Sequence, residues 1–142
     1  MATSHKAILI PHDITREIEE IDLPTGNYKE ITKRVCRDGD GLFSVSNLGH
    51  FTFAYDDEGL FTQPGNINSR AMAIWAKVEG VSMRSFRSPL VGDYLMLGPA
   101  DDEGENTDVT IEARRLAEWA QGLANQRNVL KATQDIVEGK DA

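Results

Sequence analysis

The sequence predicts an α+β fold: a small mixed, mostly antiparallel sheet of about five strands packed by two helices, with a helical C-terminal extension. Three observations lead there. Phe51, Phe53 and Tyr55 alternate with His50, Thr52 and Ala54, which is the period of a half-buried antiparallel strand. Ala71, Ile74, Trp75 and Val78 fall at i, i+3, i+4 and i+7, the buried stripe of a helix. Strand-like runs come in pairs separated by helical ones, in the order β-β-α-β-β-α-β-α, with the last region forming one helix or two.

Taken in order, Ala7-Ile8-Leu9-Ile10 is a short apolar run stopped by Pro11, as a buried strand would be. Residues 17–23 place Ile21 and Leu23 on one face and end at Pro24. Asn27, with Glu30 three residues on, suits a helix start, and Tyr28, Ile31 and Val35 share a face. Asp38-Gly39-Asp40-Gly41 is a turn cluster that ends this helix. Leu42 to Val45 reads as a strand, and Asn47-Leu48-Gly49 as the turn into the alternating segment. Asp56-Asp57-Glu58-Gly59 closes that strand. The second helix begins near Asn66 or Asn68, opening from an Asn cap, and stops at Glu79-Gly80. Leu90 to Leu97 is apolar on both faces apart from Asp93, which places it centrally in the sheet, and Gly92 marks a bulge or a close backbone approach. From Ala113 an apolar stripe runs through Leu116, Ala117, Ala120, Leu123 and Ala124 and resumes at Val129, Thr133, Ile136 and Val137, with Gly122 as a candidate break.

The 142 residues suit one domain, with a body over 6–108 and the extension over 109–138. Formal charge is −8, unsuited to general binding of nucleic-acid backbones. A single cysteine, Cys36, rules out a disulfide framework. The apolar run near the N-terminus is too short for a signal peptide or a membrane span, so a cytoplasmic setting is expected. No cofactor is expected.

Chemistry-bearing patterns are sparse. His5, His12 and His50 lack the local spacing of a zinc site and read as a disordered end, a strand exit and a solvent-facing strand residue. Cys36 follows a helix C-terminus, whose partial negative charge disfavours a thiolate. The acidic turns lack the Gly and Glu positions of an EF-hand loop. No phosphate-binding glycine loop or nucleophile elbow is present. One asymmetry stands out. Residues 65–90 hold Arg70, Lys77, Arg84 and Arg87 against a single acid, Glu79, in an otherwise acidic chain. Arg70, Arg84, Phe86 and Arg87 are therefore candidates for binding a small anionic, nucleotide-like ligand, because guanidinium groups match phosphate. Trp119, beside the stripe of the last helix, is the candidate for contact with a protein partner.

Four short motifs, taken together, carry a resemblance. They are Asp57-Glu58-Gly59 after the alternating strand, Asn68-Ser69-Arg70-Ala71 opening a helix, Leu90-Val91-Gly92-Asp93 leading an apolar strand, and Asp101-Asp102-Glu103-Gly104 closing it. Their order resembles an uncharacterised domain family of actinobacterial phages and bacterial mobile elements, over roughly residues 6–108. The resemblance implies a phage or mobile-element accessory protein and carries no catalytic residues over. The matching polar positions, Asn68, Arg70 and Asp93, read from the residues alone as a helix cap, a first-turn surface residue and a strand-edge residue.

The expected function is thus non-catalytic binding of a host or viral protein. Sequestration of an anionic nucleotide-like molecule and acidic mimicry of DNA are the alternatives. A membrane partner is not expected, and the apolar stripe of the C-terminal region makes a homodimer conceivable.

Overall fold

Four consecutive apolar side chains, Tyr94 to Leu97, are all buried, and the strand they form holds the centre of the sheet. The computed structural model describes residues 4–26, 28–39 and 41–123. Its strands are β1 (Ser4–Ile10), β2 (Glu19–Pro24), β3 (Phe43–Asn47), β4 (Thr52–Asp56) and β5 (Tyr94–Leu97). They lie in the order β2-β1-β5-β4-β3 with every neighbouring pair antiparallel. The helices are α1 (Tyr28–Val35), the single turn α2 (Gly59–Thr62), α3 (Ser69–Glu79) and α4, which covers 111–123. The α+β fold, the five strands and the helical C-terminal region are as the sequence predicts.

Because side chains alternate across a strand, each face of the sheet builds its own core. Ala7 and Leu9 join Leu23, Ala54, Leu95 and Leu97 beneath Ile31 and Val35 of α1. Ile8, Ile10, Phe53, Tyr94 and Met96 face the other way, against Ala71 and Ile74 of α3 and Ala113, Ala117 and Ala120 of α4. Phe53 sits at the middle of this second core, with ring centroids 5.0 Å from Phe51, 5.2 Å from Tyr94 and 5.8 Å from Trp75. The small alanine stripe lets α4 lie close on the sheet. Its approach is set by Val109, whose N–H donates to the Lys6 carbonyl, and by Thr110, whose hydroxyl accepts from Ala113 N. Residues 109–123 therefore complete a core layer and do not merely trail the body.

Several local expectations need correction. His5 is not a disordered end: it lies in β1 opposite Leu23 and is buried. Arg70 is not a surface residue but is 3% exposed. The last strand begins at Tyr94, four residues late, because Gly92 takes φ +81° and breaks the extended run. That glycine is required on space as well, since a Cβ there would lie 2.6 Å from Gln63 Nε2. The one-turn α2 was not foreseen. The helix cap expected at Asn27 and the continuation of the C-terminal stripe beyond 123 lie outside the described residues. Among the described residues no helix is long and apolar enough to cross a membrane.

Candidate functional site

The predicted site residues separate. Arg70 points inward, with Nη2 donating to the carbonyls of Pro11 (2.7 Å) and Asp13 (3.0 Å) and Nη1 donating to Gln121 Oε1 (3.0 Å). Its Nε is buried without a partner. Burial lowers its pKa, while Asp13 and Asp93 act in the opposite direction. Arg84 and Arg87 are exposed and flank Phe86, which is half-buried with its ring edge-on to Trp75 at 6.4 Å. The structure thus keeps Arg84, Phe86 and Arg87 on one surface segment and assigns Arg70 to the interior. Trp119 is half-buried against the α3 side of the core, and Lys77 Nζ stands 4.7 Å from its ring centroid, a cation–π contact that joins α3 to α4.

The three polar positions of the family-like motifs converge on the exit of β1. Asn68 is fully buried. Its Oδ1 accepts from Ala71 N as the α3 cap, while Nδ2 donates to the carbonyls of Ile10 and Gly92. Arg70 holds the next residues, Pro11 and Asp13. Asp93 Oδ1 accepts from the backbone N–H of His12 at 2.9 Å and contacts its ring Nδ1 at 2.7 Å. A His–Asp pair can orient a general base, but among the described residues no hydroxyl or thiol hydrogen-bonds to the His12 ring. Cys36 is buried on the opposite face of the sheet, where Sγ donates to the Leu42 carbonyl at 3.4 Å. The constellation works as a strut for residues 10–13. Gln121, which the sequence reading passed over, belongs to it: Oε1 also accepts from Ile18 N, so α4 clamps both ends of the β1–β2 loop.

The chain's acidity gathers elsewhere. A cleft of about 520 Å³ is lined by Asp101, Asp102, Glu103, Glu105 and Asp108, with His5 and Thr25, and among the described residues no lysine or arginine lines it. The 101–108 loop is braced by hydrogen bonds. Asp101 Oδ1 accepts from the N–H groups of Glu103 and Glu105, and Asn106 and Thr107 both donate to the chain at 98–99. It is tied to the sheet where Asp108 Oδ1 accepts from Lys6 N. His5 lines the same cleft with Nδ1 buried and unpartnered. Among the described residues no three His, Cys, Asp or Glu side chains are grouped to hold a metal ion. Nothing in the local sequence brings residues 4–5 and 25 to this loop; the pairing of β1 with β2 on one side and with β5 and residues 108–109 on the other does.

Among the described residues Asp56 is the one buried carboxylate, and it is structural. Burial acts to raise its pKa, but hydrogen bonds from Gln63 Nε2, Glu58 N and Thr62 Oγ1 outweigh that and hold it below the ordinary 3.8. A depressed folded-state pKa adds stability that is present above the unfolded value and is lost as pH falls through the folded one. Asp56→Asn is therefore expected to flatten the acid limb of the melting-temperature profile below pH 4. An acid limb as steep as that of the native chain would contradict this assignment.

Comparison with protein-family models, with curated proteins and with solved structures returns no match.

Proposed function

We propose that this chain is a non-catalytic accessory protein of a phage or mobile element, acting in the host cytoplasm by binding a host or viral protein. The acidic cleft is its docking surface and the partner's surface is basic. The observation that supports this most is the hydrogen-bonded row of five carboxylates along 101–108, lined by no lysine or arginine among the described residues. A preformed field of one sign speeds encounter with a surface of the other and selects against acidic partners. A nucleic-acid-binding protein fits that description, because its phosphate-contacting surface is basic. The acidic DNA mimic is then a special case of the same surface. The alternative, a site for an anionic nucleotide-like ligand, has the exposed Arg84 and Arg87 in its favour and loses Arg70 to the interior.

The test is capture from host lysate with the native chain and with an Asp102→Lys/Glu103→Lys/Glu105→Lys variant, followed by affinity measurement on the purified captured protein. The native chain should bind in a salt-sensitive way and the variant about tenfold or more weakly, since like charges placed face to face cost several kcal/mol. Duplex DNA added as competitor should displace a partner that reads the carboxylates as phosphates. Equal binding by the variant would reject the acidic cleft, and no salt-sensitive partner at all would reject the reading.

A further inference from the structure

The two edges of the sheet differ in chemistry. β2 carries Glu19, Glu20 and Asp22, all exposed, and ends in Pro24. Charges and proline on an edge strand are devices that keep another strand from adding to it. β3 reads Phe-Ser-Val-Ser-Asn, with no charge and no proline. Val45 is 54% exposed, and Leu42 just before the strand is 68% exposed.

The hydrogen-bond phase of β3 can be read from its two ends. Leu48 N–H donates to the Phe51 carbonyl, and Asp57 N–H donates to the Leu42 carbonyl. These make 48–51 and 42–57 hydrogen-bonded pairs. In an antiparallel ladder such pairs alternate with non-bonded ones. Ser44 and Ser46 therefore also turn their peptide groups toward β4. Phe43, Val45 and Asn47 turn theirs outward, away from the sheet.

We propose that a second copy of this chain covers this edge, with the two β3 strands pairing antiparallel about a two-fold axis at Val45 to form one continuous sheet. In that register Val45 stands opposite Val45 of the second copy, and Phe43 stands opposite Asn47. All three are outward-facing residues, so each pair exchanges two backbone hydrogen bonds. Ser44 falls opposite Ser46. The register is reciprocal, as a two-fold contact requires: each Phe43 meets the other copy's Asn47, and the serines on either side of Val45 meet each other. Charge selects this edge over the other. Pairing through β2 would bring its three carboxylates against three more in a chain of charge −8, whereas β3 brings none. The apolar stripe of α4, the other candidate for self-association, has its buried alanines already committed to the sheet. This dimer leaves the acidic cleft open and stands independently of the binding partner proposed for it.

Sedimentation equilibrium of the full chain up to high-micromolar concentration should give twice the mass of one chain. Val45→Pro removes only an outward N–H and no bond within the chain, and Val45→Glu sets two carboxylates face to face. Both should halve the mass while leaving the circular dichroism spectrum unchanged. Val45→Cys should join two copies under oxidation, because Cα atoms of a hydrogen-bonded pair lie about 5.5 Å apart, within disulfide range. Leu60→Cys, exposed elsewhere, should not. A native chain that stays monomeric throughout would overturn the proposal, as would a dimer that survives both Val45→Glu and Val45→Pro. Cross-linking through Leu60→Cys equal to that through Val45→Cys would place the contact elsewhere and overturn it too.

Discussion

Replacing Asn68 with leucine is expected to cost about 3–5 kcal/mol of stability, seen as a large drop in the urea midpoint with little change in its slope. The side chain has no exposed surface and satisfies three backbone groups at once. Ala71 N–H donates to its Oδ1, and the carbonyls of Ile10 and Gly92 accept from its Nδ2 at 2.9 Å each. Leucine keeps the volume and removes all three bonds, at about 1–3 kcal/mol for each buried group left unmet, reduced by whatever relaxation the site allows and by the place of the Ile10 carbonyl in the β1–β5 ladder. Asn68→Ser separates the cap from the tie. Serine restores the bond to Ala71 N but not the two donors. If capping were the whole role, Asn68→Ser would melt within about 0.5 kcal/mol of the native chain. If the tie between β1, the Gly92 turn and α3 dominates, it should recover less than half of the loss.

Asn68 also shows what could and could not be read in advance. Its role as a helix cap is a local matter: an Asn before an apolar stripe needs only the next three residues. Its two carbonyl partners lie 58 and 24 residues away and are placed by the sheet. The same divide runs through the molecule. α3 announces itself by a period of 3.6 because it buries one face, and β4 by a period of two because its aromatic residues share one face while small or polar ones, with Ala54 in the opposite core, take the other. β5 was legible as a central strand because it is apolar on both. The four-residue α2 is too short to show a period. Arg70 was misplaced because a lone arginine in a first helical turn is ordinarily solvated, and its burial depends on two carbonyls of the β1–β2 loop and on Gln121 of α4. His5 was misplaced because chain ends are ordinarily frayed, whereas this one is paired with β2 from Ser4 onward. The Asp101-Asp102-Glu103-Gly104 turn was visible as turn chemistry. Its partners in the cleft were not, since only the return of the chain along β1 sets Asp108 and Glu105 beside His5 and Thr25.

Gly98 is where that cleft meets the core, and Gly98→Ala is expected to be among the most damaging single-methyl changes in the chain. A Cβ at this position would lie 2.2 Å from the Asp108 carbonyl oxygen and 2.3 Å from that of Thr107. Both obstacles are backbone, so no rotamer change relieves them. The facing segment is also held in place: Thr107 N donates to the Pro99 carbonyl, Val109 N to the Lys6 carbonyl, and Lys6 N to Asp108 Oδ1. The methyl must push the 98–108 loop away from β1, at about 3 kcal/mol for overpacking that cannot relax. The displaced loop carries the carboxylates, so partner binding at the acidic cleft should weaken along with stability. Gly104→Ala, in the same loop, supplies the comparison. Its φ of +83° makes a side chain strained, but nothing lies within 4 Å of a Cβ there. That substitution should cost only the roughly 1–2 kcal/mol of a left-handed residue and leave the cleft in shape. Thermal melts of the two variants decide the matter. If Gly98→Ala melts no lower than Gly104→Ala, the close approach of the 107–108 backbone to β5 does not hold the cleft in the way described.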